Sequence, residues 1–259
     1  VPLPYSGIRL KFETTCAVCD ISFLTGITSV VVDDAHDCSL TLPTSVRRLN
    51  LLRNTERVSV SGTENLTYLD MDKETNTTTP CPKLQTFIWS GKVLSRATIP
   101  ASNTATLSSL TLAADTVDPG FLFPTRLTSL TLTVRKESFA LVRLPTSLVE
   151  CSLRVSGDFD FSRFTRLTSL DISLEEEEDT VRVTSPTQLK LLSMYGGKLG
   201  MTNVSDLPLE SLSFWGAPLT RGDLEKLPKT LRELFGSFDP KSLKAHLRDF
   251  FPLLTKHSP

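Results

Sequence analysis

One hexamer pattern, apolar-x-x-apolar-x-apolar, recurs along the chain about every 20 residues. Its copies begin at Ile27, Val46, Leu66, Leu84, Leu107, Leu127, Leu148, Leu167, Leu189, Leu209 and Leu231. Apolar residues fill 32 of its 33 apolar slots, the exception being Gly236, whereas independent positions at 39% apolar content would fill about 13. The chain is therefore a repeat protein, and we expect each repeat to pack mainly against its neighbours.

Each hexamer predicts one short β-strand. In residues 127–132 the last four residues alternate between apolar and polar, as a strand with one buried face requires. Such a strand cannot bury its apolar side alone, so we expect successive copies to stack in parallel, about 4.8 Å apart. About 14 residues remain between strands, which leaves little room for a crossover helix with its two turns. The sequence therefore predicts 3₁₀ turns and extended segments there.

Seven prolines stand one to three residues before a hexamer. They are Pro43, Pro82, Pro124, Pro145, Pro186, Pro208 and Pro228. Proline disfavours helix at the residue before it and has no N–H to donate. We expect these prolines to mark the incoming extended segments without weakening the strand ladder.

The hexamers and their Pro-containing entries, such as LPTSVRRLNLLRN, FPTRLTSLTL and LPKTLREL, resemble the leucine-rich repeat, most closely its short class of about 20 residues. The resemblance covers residues 27–236 and implies an α/β-type solenoid. This is a curved horseshoe with a parallel sheet on its concave face and a mostly 3₁₀ or extended convex side. The family usually places asparagine three residues after the last apolar slot, but here only Asn54 occupies that position. The backbone groups of the other turns must be satisfied in another way.

The ends differ from the repeats, and we expect one domain over residues 1–259. Its predicted parts are an N-terminal cap (1–26), about eleven repeats (27–236), and a C-terminal cap helix and tail (237–259). A twelfth copy, with Tyr5, Ile8 and Leu10 in its apolar slots, is a candidate within the N-terminal cap. Residues 239–254 predict the capping helix, with Asp239 as N-cap and Pro240 at its first position.

Charge and histidine content exclude several classes of function. The chain carries 28 basic and 29 acidic side chains, so no global field recruits nucleic acid, and no apolar stretch approaches the ~18 residues of a membrane span. The three histidines are His36, His246 and His257, and no phosphate loop or hydrolase motif accompanies them. We expect a non-enzymatic chain without cofactor that neither binds nucleic acid nor inserts into a membrane.

The five cysteines leave three interpretations open. Cys16, Cys19, His36 and Cys38 are a weak candidate set for a structural zinc ion, because tetrahedral zinc needs four such ligands. The alternatives are a disulfide in the N-terminal cap and reduced thiols, and Cys151 falls in a core slot.

Compartment is only weakly indicated. The odd number of cysteines slightly favours the cytoplasm over secretion or the cell surface. Asn65, Asn76 and Asn203 match the glycosylation pattern, which arises by chance in a Ser/Thr-rich chain.

Strand positions that point away from the core build the expected concave face. For a hexamer starting at residue i these are i+2, i+4 and i+6. A charged zone with one aromatic residue comprises Arg48, Asn50, Tyr68, Asp70 and Asp72. A middle zone is rich in serine and threonine, and an apolar zone comprises Leu191, Tyr195, Trp215 and Phe235. Tyr195 and Trp215 hold the same slot on adjacent repeats, whereas Trp89 falls in a core slot.

Exposed aromatic clusters are typical of binding hot spots. We therefore expect a protein-interaction module that binds a partner through its concave face. Tyr195, Trp215 and Phe235 would be its apolar anchors, and Arg48, Asp70 and Asp72 its orienting charges. Leu191 and Tyr68 complete the predicted partner-binding set. One alternative is the substrate-recognition part of a larger enzyme such as a ubiquitin ligase, since bacterial effector ligases carry similar repeats. Another is a cell-surface adhesion or receptor ectodomain.

Overall fold

The alternating part of each hexamer forms a β-strand whose buried side chains are the apolar slots. On Ser129–Val134, Leu130 and Leu132 are 1% and 0% exposed, whereas Thr131 between them is exposed. The computed structural model describes residues 7–11, 18–33, 38–52, 58–72, 80–95, 98–99, 105–134, 143–155, 159–161, 163–174, 180–182, 188–200, 204–238, 253 and 256–258. In these residues the chain is a parallel-strand solenoid with two compact units. The single domain expected from the sequence stays a prediction.

The first unit comprises Val1–Leu127 and Leu141–Arg143. Its strands are β1 (Gly7–Lys11), β2 (Val18–Asp20), β3 (Ser29–Asp33), β4 (Ser39–Thr41), β5 (Arg48–Leu52), β6 (Ser59–Ser61), β7 (Tyr68–Asp72), β8 (Thr86–Leu94) and β9 (Ser109–Val117). Strands β1, β3, β5, β7, β8 and β9 pair in that order as a parallel ladder. Strands β2, β4 and β6 form a separate parallel sheet.

The second unit comprises Thr128–Ala140 and Leu144–Pro259. Its strands are β10 (Ser129–Val134), β11 (Glu150–Val155), β12 (Phe159–Asp160), β13 (Ser169–Leu174), β14 (Thr180–Arg182), β15 (Leu191–Tyr195), β16 (Lys198–Gly200), β17 (Ser211–Leu219), β18 (Glu233–Phe238) and β19 (Lys256–Ser258). Strands β10, β11, β13, β15, β17, β18 and β19 form its parallel ladder. Strands β12, β14 and β16 form a separate parallel sheet.

The candidate twelfth copy of the hexamer forms the first strand of the ladder. Ile8 on β1 lies opposite Val30 on β3, and Leu10 lies opposite Val32. These are the register positions that the copy predicts. The expected N-terminal cap therefore contributes one regular ladder strand.

Three of these prolines, Pro43, Pro124 and Pro228, begin a tight turn at the entry to a hexamer. The backbone N–H of Val46 donates to the Pro43 carbonyl at 3.1 Å, and that of Leu231 donates to the Pro228 carbonyl at 3.4 Å. In each turn the proline carbonyl accepts a hydrogen bond. Proline has no backbone N–H, and these turns do not require one at its position. The position of these prolines outside the ladder agrees with the sequence interpretation.

Hydroxyl side chains satisfy backbone carbonyls at the entry to two hexamers. Ser45 Oγ donates to the Ile27 carbonyl at 2.7 Å. Thr230 Oγ1 donates to the Leu209 carbonyl, also at 2.7 Å. In both cases the acceptor is the first hexamer residue of the preceding repeat, so the bond joins neighbouring repeats.

At the exit from two hexamers, the strand continues through the slot where the family places asparagine. Lys92 and Asp115 occupy this slot on β8 and β9, and Val93 pairs with Thr116 just beyond it. Backbone pairing between repeats therefore replaces a side-chain ladder at these turns. Asn54, the single asparagine in that slot, lies outside the described residues.

The expected α/β character is not confirmed, because the described residues contain almost no helix. Helix α1 spans Arg221–Glu225 and a 3₁₀ turn spans Val204–Asp206. Short strands that the sequence did not predict, β2, β4, β6, β12, β14 and β16, occupy several connections. Extended segments of neighbouring repeats pair there with one another, which satisfies their backbone groups without a helix.

The C-terminal region differs from the expected helix and tail. The predicted capping helix, residues 239–254, lies outside the described residues except for Leu253. Strand β18 runs to Phe238 and so crosses the predicted start of the cap at residue 237. Residues Lys256–Ser258, expected in a tail, form β19, with His257 opposite Leu234. The ladder of the second unit therefore ends in a strand from the C-terminal residues.

The core consists of the hexamer slots together with aliphatic and aromatic residues of the connecting segments, such as Leu40, Val60, Phe161 and Phe164. Trp89 is 4% exposed, as its slot predicts. Cys151 is also 4% exposed, and burial raises the pKa of its thiol to about 12, so it remains protonated at neutral pH. No helix within the described part of the chain is long and apolar enough to cross a membrane.

Gly236 is the apolar slot without an apolar side chain, and backbone geometry gives the reason. It pairs with Phe214 and has φ of 137°, a conformation that favours glycine. A Cβ atom at this position would overlap the Phe214 carbonyl oxygen. The pairing of β17 with β18 shifts register just beyond this contact, so the close approach lies beside a bulge.

Aspartate substitutions at a core slot and at the neighbouring outward slot test which face of the strand is buried. We expect Leu130→Asp to cost at least about 4 kcal/mol, because it places an unpaired carboxylate in the core. Thr131→Asp adds the same charge on the exposed face, opposite Ser152, and should cost no more than about 1 kcal/mol. Urea unfolding measures both, and equal losses would contradict the register.

Gly236→Ala should lower the free energy of unfolding by more than about 1 kcal/mol, because the new methyl group meets backbone at a strained φ. Gly222→Ala is the matched control, since a Cβ there approaches only Thr220 Oγ1, at 3.8 Å. Because Gly222 lies in α1, this control should leave stability unchanged or slightly raised. Thermal unfolding of the two variants beside the parent chain is the measurement, and an unaffected Gly236→Ala variant would refute the packing argument.

Candidate partner-binding surface

Three large apolar side chains on β15 and β17 remain about half exposed. Leu191 is 49% exposed, Tyr195 47% and Trp215 44%. All three occupy outward positions of their hexamers, whereas the alternating residues Leu192, Met194 and Phe214 are buried. We call Leu191, Tyr195 and Trp215 the aromatic patch.

The strand register places the two aromatic residues side by side. Tyr195 pairs directly with Trp215, as the sequence predicts, so their Cα atoms lie about one strand spacing apart. Phe235 pairs with Ser213 and is therefore diagonal to Trp215, but it is half-buried. Neither exposed ring makes a ring contact or has a cation over it within the described part of the chain. Both rings thus keep about half of their surface exposed.

A glycine follows the aromatic residue in three successive repeats, a signal that the sequence interpretation did not use. The pairs are Tyr195-Gly196, Trp215-Gly216 and Phe235-Gly236. The N–H of Gly196 donates to the Trp215 carbonyl at 3.0 Å. A Cβ at Gly216 would come within 2.9 Å of the Gly196 carbonyl oxygen and closer still to that of Gly197. Close backbone packing therefore fixes the strand ends that carry the two exposed rings.

Serines and carboxylates surround the aromatic patch. Ser193 on β15 and Ser213 on β17 are half-buried. On the neighbouring strands, Ser152 Oγ donates to Asp171 Oδ2 at 3.3 Å. Glu150 is exposed on β11. With the exposed Arg154 on β11, these residues give the patch a polar border of mixed charge on the side of β11 and β13.

An ion pair lies at the entry edge of the same strands. Lys190 Nζ is 2.9 Å from Glu210 Oε1. The hydrogen bond and the charge of Lys190 lower the pKa of the Glu210 carboxyl group, with a smaller effect from Arg232. Both partners are largely exposed, so we assign the pair little stability.

The predicted charged zone lies in the first unit, where four of its five members form two cross-strand contacts. Arg48 pairs with Tyr68, and its guanidinium carbon lies 3.9 Å from the centre of the tyrosine ring. Asn50 Nδ2 donates to Asp70 Oδ2 at 3.1 Å. Asp72 lies on β7 opposite Ser90. The structure therefore brings Arg48 together with Tyr68, and Asn50 with Asp70, as cross-strand pairs.

Arg9 and Asp33 form an ion pair that the sequence interpretation missed. Arg9 Nη2 lies 3.3 Å from Asp33 Oδ2, and the Asp33 side chain is 5% exposed. The twelfth copy of the hexamer could have predicted this pair, because it places Arg9 at an outward position beside β3. The ion pair links β1 to β3, its neighbour in the ladder.

The zinc candidates are only partly described. Cys16 and His36 lie outside the described residues, whereas Cys19 lies on β2 and Cys38 is buried just before β4. Cys19, Cys38, Cys81 and Cys151 are thiols in the described structure. Within the described ranges no group of three or more His, Cys, Asp or Glu residues could hold a metal ion. The zinc candidate stays an untested prediction.

Asn65 is the one glycosylation match among the described residues. Its Nδ2 donates to the Thr44 carbonyl at 3.0 Å, and its Oδ1 accepts from Lys83 Nζ at 2.7 Å. The nitrogen that would carry a glycan is thus already used in a bond between repeats. Asn76 and Asn203 lie outside the described residues.

Comparisons with known proteins give a fold but no closer relationship. No protein-family model and no curated protein matches the chain. Among solved structures, the chain is similar to a leucine-rich repeat protein of Leptospira interrogans, with 17% identity and a TM-score of 0.52 over 90% of this chain and 72% of that one. At this identity the likeness concerns the fold alone. Together with the parallel ladder and the 20-residue hexamer, it shows that the chain has the leucine-rich-repeat fold.

Proposed function

We propose that the chain is a non-catalytic protein-interaction module that binds its partner through the outward face of the second unit. The aromatic patch is the observation that supports this most. Exposed tyrosine and tryptophan at paired positions are typical of interface hot spots, where a rigid ring supplies contact area at low entropic cost. Leucine-rich-repeat folds generally mediate protein–protein interaction, which agrees with this assignment.

The remaining exposure of the two rings is large enough to matter for affinity. A buried tyrosine or tryptophan removes 150 to 250 Å² from water, so at 47% and 44% exposure roughly 70 to 110 Å² of each ring remains available. At about 25 cal/mol per Å², covering it would contribute about 2 to 3 kcal/mol per ring. That is the magnitude measured for hot-spot residues.

We assign a secondary role to the charged residues of the first unit. Arg48 is exposed while it stacks on Tyr68, and Asp70 already accepts a hydrogen bond from Asn50. Charges of this kind mainly set the association rate and the orientation of a partner. Asp72, the remaining residue of this group, belongs to the same proposal through its position on β7.

Removing the two exposed rings should greatly weaken partner binding. We expect a Tyr195→Ala, Trp215→Ala double variant to bind at least about 100-fold more weakly, since it loses two anchors of about 2 kcal/mol or more each. The measurement is affinity capture from the source cells and medium, followed by titration of each captured protein with the purified chain.

The matched control is a Val93→Ala, Leu122→Ala double variant. These residues are 45% and 66% exposed and belong to the first unit, whereas the aromatic patch belongs to the second. Both double variants must have the same melting temperature as the parent chain. If a captured protein binds the parent and the control but not the aromatic variant, the proposal is supported; equal binding to all three would refute it.

A further inference from the structure

We infer that the partner inserts an arginine side chain between the aromatic patch and the carboxylate of Asp171. This inference rests on the proposed function and adds the chemistry of the partner. Three features of the described residues support it. They are exposed ring faces, a carboxylate diagonal to residues of the patch, and an arginine that stacks on a tyrosine at paired strand positions elsewhere in the chain.

The stacked pair is Arg48 and Tyr68 in the first unit. There a guanidinium group from one strand lies 3.9 Å from the centre of a ring at the directly paired position of the next strand. The outward face of these repeats thus has the spacing that a stacked arginine needs. At Tyr195 the directly paired position on β13 is Ser173, which supplies no cation. The ring faces at Tyr195 and Trp215 have no cation over them in the described structure, so a partner can fill that place.

Asp171 supplies the carboxylate that would complete such a site. Because Ser173 pairs with Tyr195 and Ser169 pairs with Leu191, Asp171 lies diagonal to Tyr195 and Leu191, two of the three residues of the patch. Diagonal neighbours across a sheet are about 7 to 8 Å apart, within reach of a long side chain. An arginine can stack its planar guanidinium on a ring while its N–H groups donate to a carboxylate, a geometry that lysine lacks. These positions therefore favour arginine.

The other charges of this face agree with a cationic partner residue. Glu150 is exposed two strands from Leu191, in the same outward row, and makes no ion pair with any described residue. Lys190 is already paired with Glu210. Arg154 lies in the row of Tyr195, two strands away, and is diagonal to Asp171, so Asp171 lies between this cation and the patch. Glu233 has no role in the proposed site, because Lys256 occupies the paired position on β19.

The test begins with peptide display. Random twelve-residue peptides are selected on the parent chain, with removal of those that also bind the Tyr195→Ala, Trp215→Ala variant. We expect the survivors to share an arginine. Replacing that arginine with citrulline, its uncharged analogue of the same shape, should weaken binding at least about tenfold. Asp171→Asn, which keeps the size and an acceptor for Ser152, should weaken the arginine peptide similarly and leave the citrulline peptide unaffected.

Glu225→Gln is the matched control, because Glu225 is an exposed carboxylate in α1 that pairs with Arg221. It should leave peptide affinity unchanged, which separates a specific carboxylate from general attraction to an acidic chain. Equal affinity for the arginine and citrulline peptides, or indifference to Asp171→Asn, would overturn the inference while the proposed function survives. Binding of a neutral oligosaccharide or of a second copy of the chain at the patch, in place of peptides, would also overturn it. If no selected peptide depends on Tyr195 and Trp215, the proposed function fails as well.

Discussion

The structure depends on the need of each short strand to bury one face against the next repeat. A ladder strand such as β15 has five residues and two buried apolar side chains, too few to be stable alone. Parallel stacking buries these side chains and fixes the register, since a slip of one residue would turn the core outward. The same register determines which residues remain on the outward face, so the aromatic patch is a consequence of how the core packs.

Close stacking of the repeats also explains several polar residues and a glycine that the hexamer pattern does not require. Ser45 and Thr230 use their hydroxyl groups to satisfy carbonyls of the preceding repeat. Gly236 stands in an apolar slot because its backbone lies against Phe214, where a side chain has no space. These exceptions occur where the backbones of two repeats lie close together. At such positions backbone hydrogen bonding and backbone space determine the residue type, and side-chain packing does not.

The sequence predicts the ladder and the outward residues well because both follow from one alternating pattern. The pairing of Tyr195 with Trp215 and the burial of Trp89 could be derived from slot positions alone. The short second sheets and β19 could not be predicted, since two or three residues carry no detectable period and their pairing depends on where the ladder places them. The stack of Arg48 on Tyr68 depends on side-chain conformation, which the pattern does not specify.

The central claim is that the register leaves Trp215 outward while Trp89 is in the core. Acrylamide quenching of the two single-tryptophan variants tests it most directly, because the chain has only two tryptophans. The Trp89→Phe variant, which retains Trp215, should show red-shifted emission and efficient quenching. The Trp215→Phe variant, which retains Trp89, should show blue-shifted emission and little quenching. Equal protection of the two tryptophans, or greater exposure of Trp89, would contradict the register and with it the proposed binding surface.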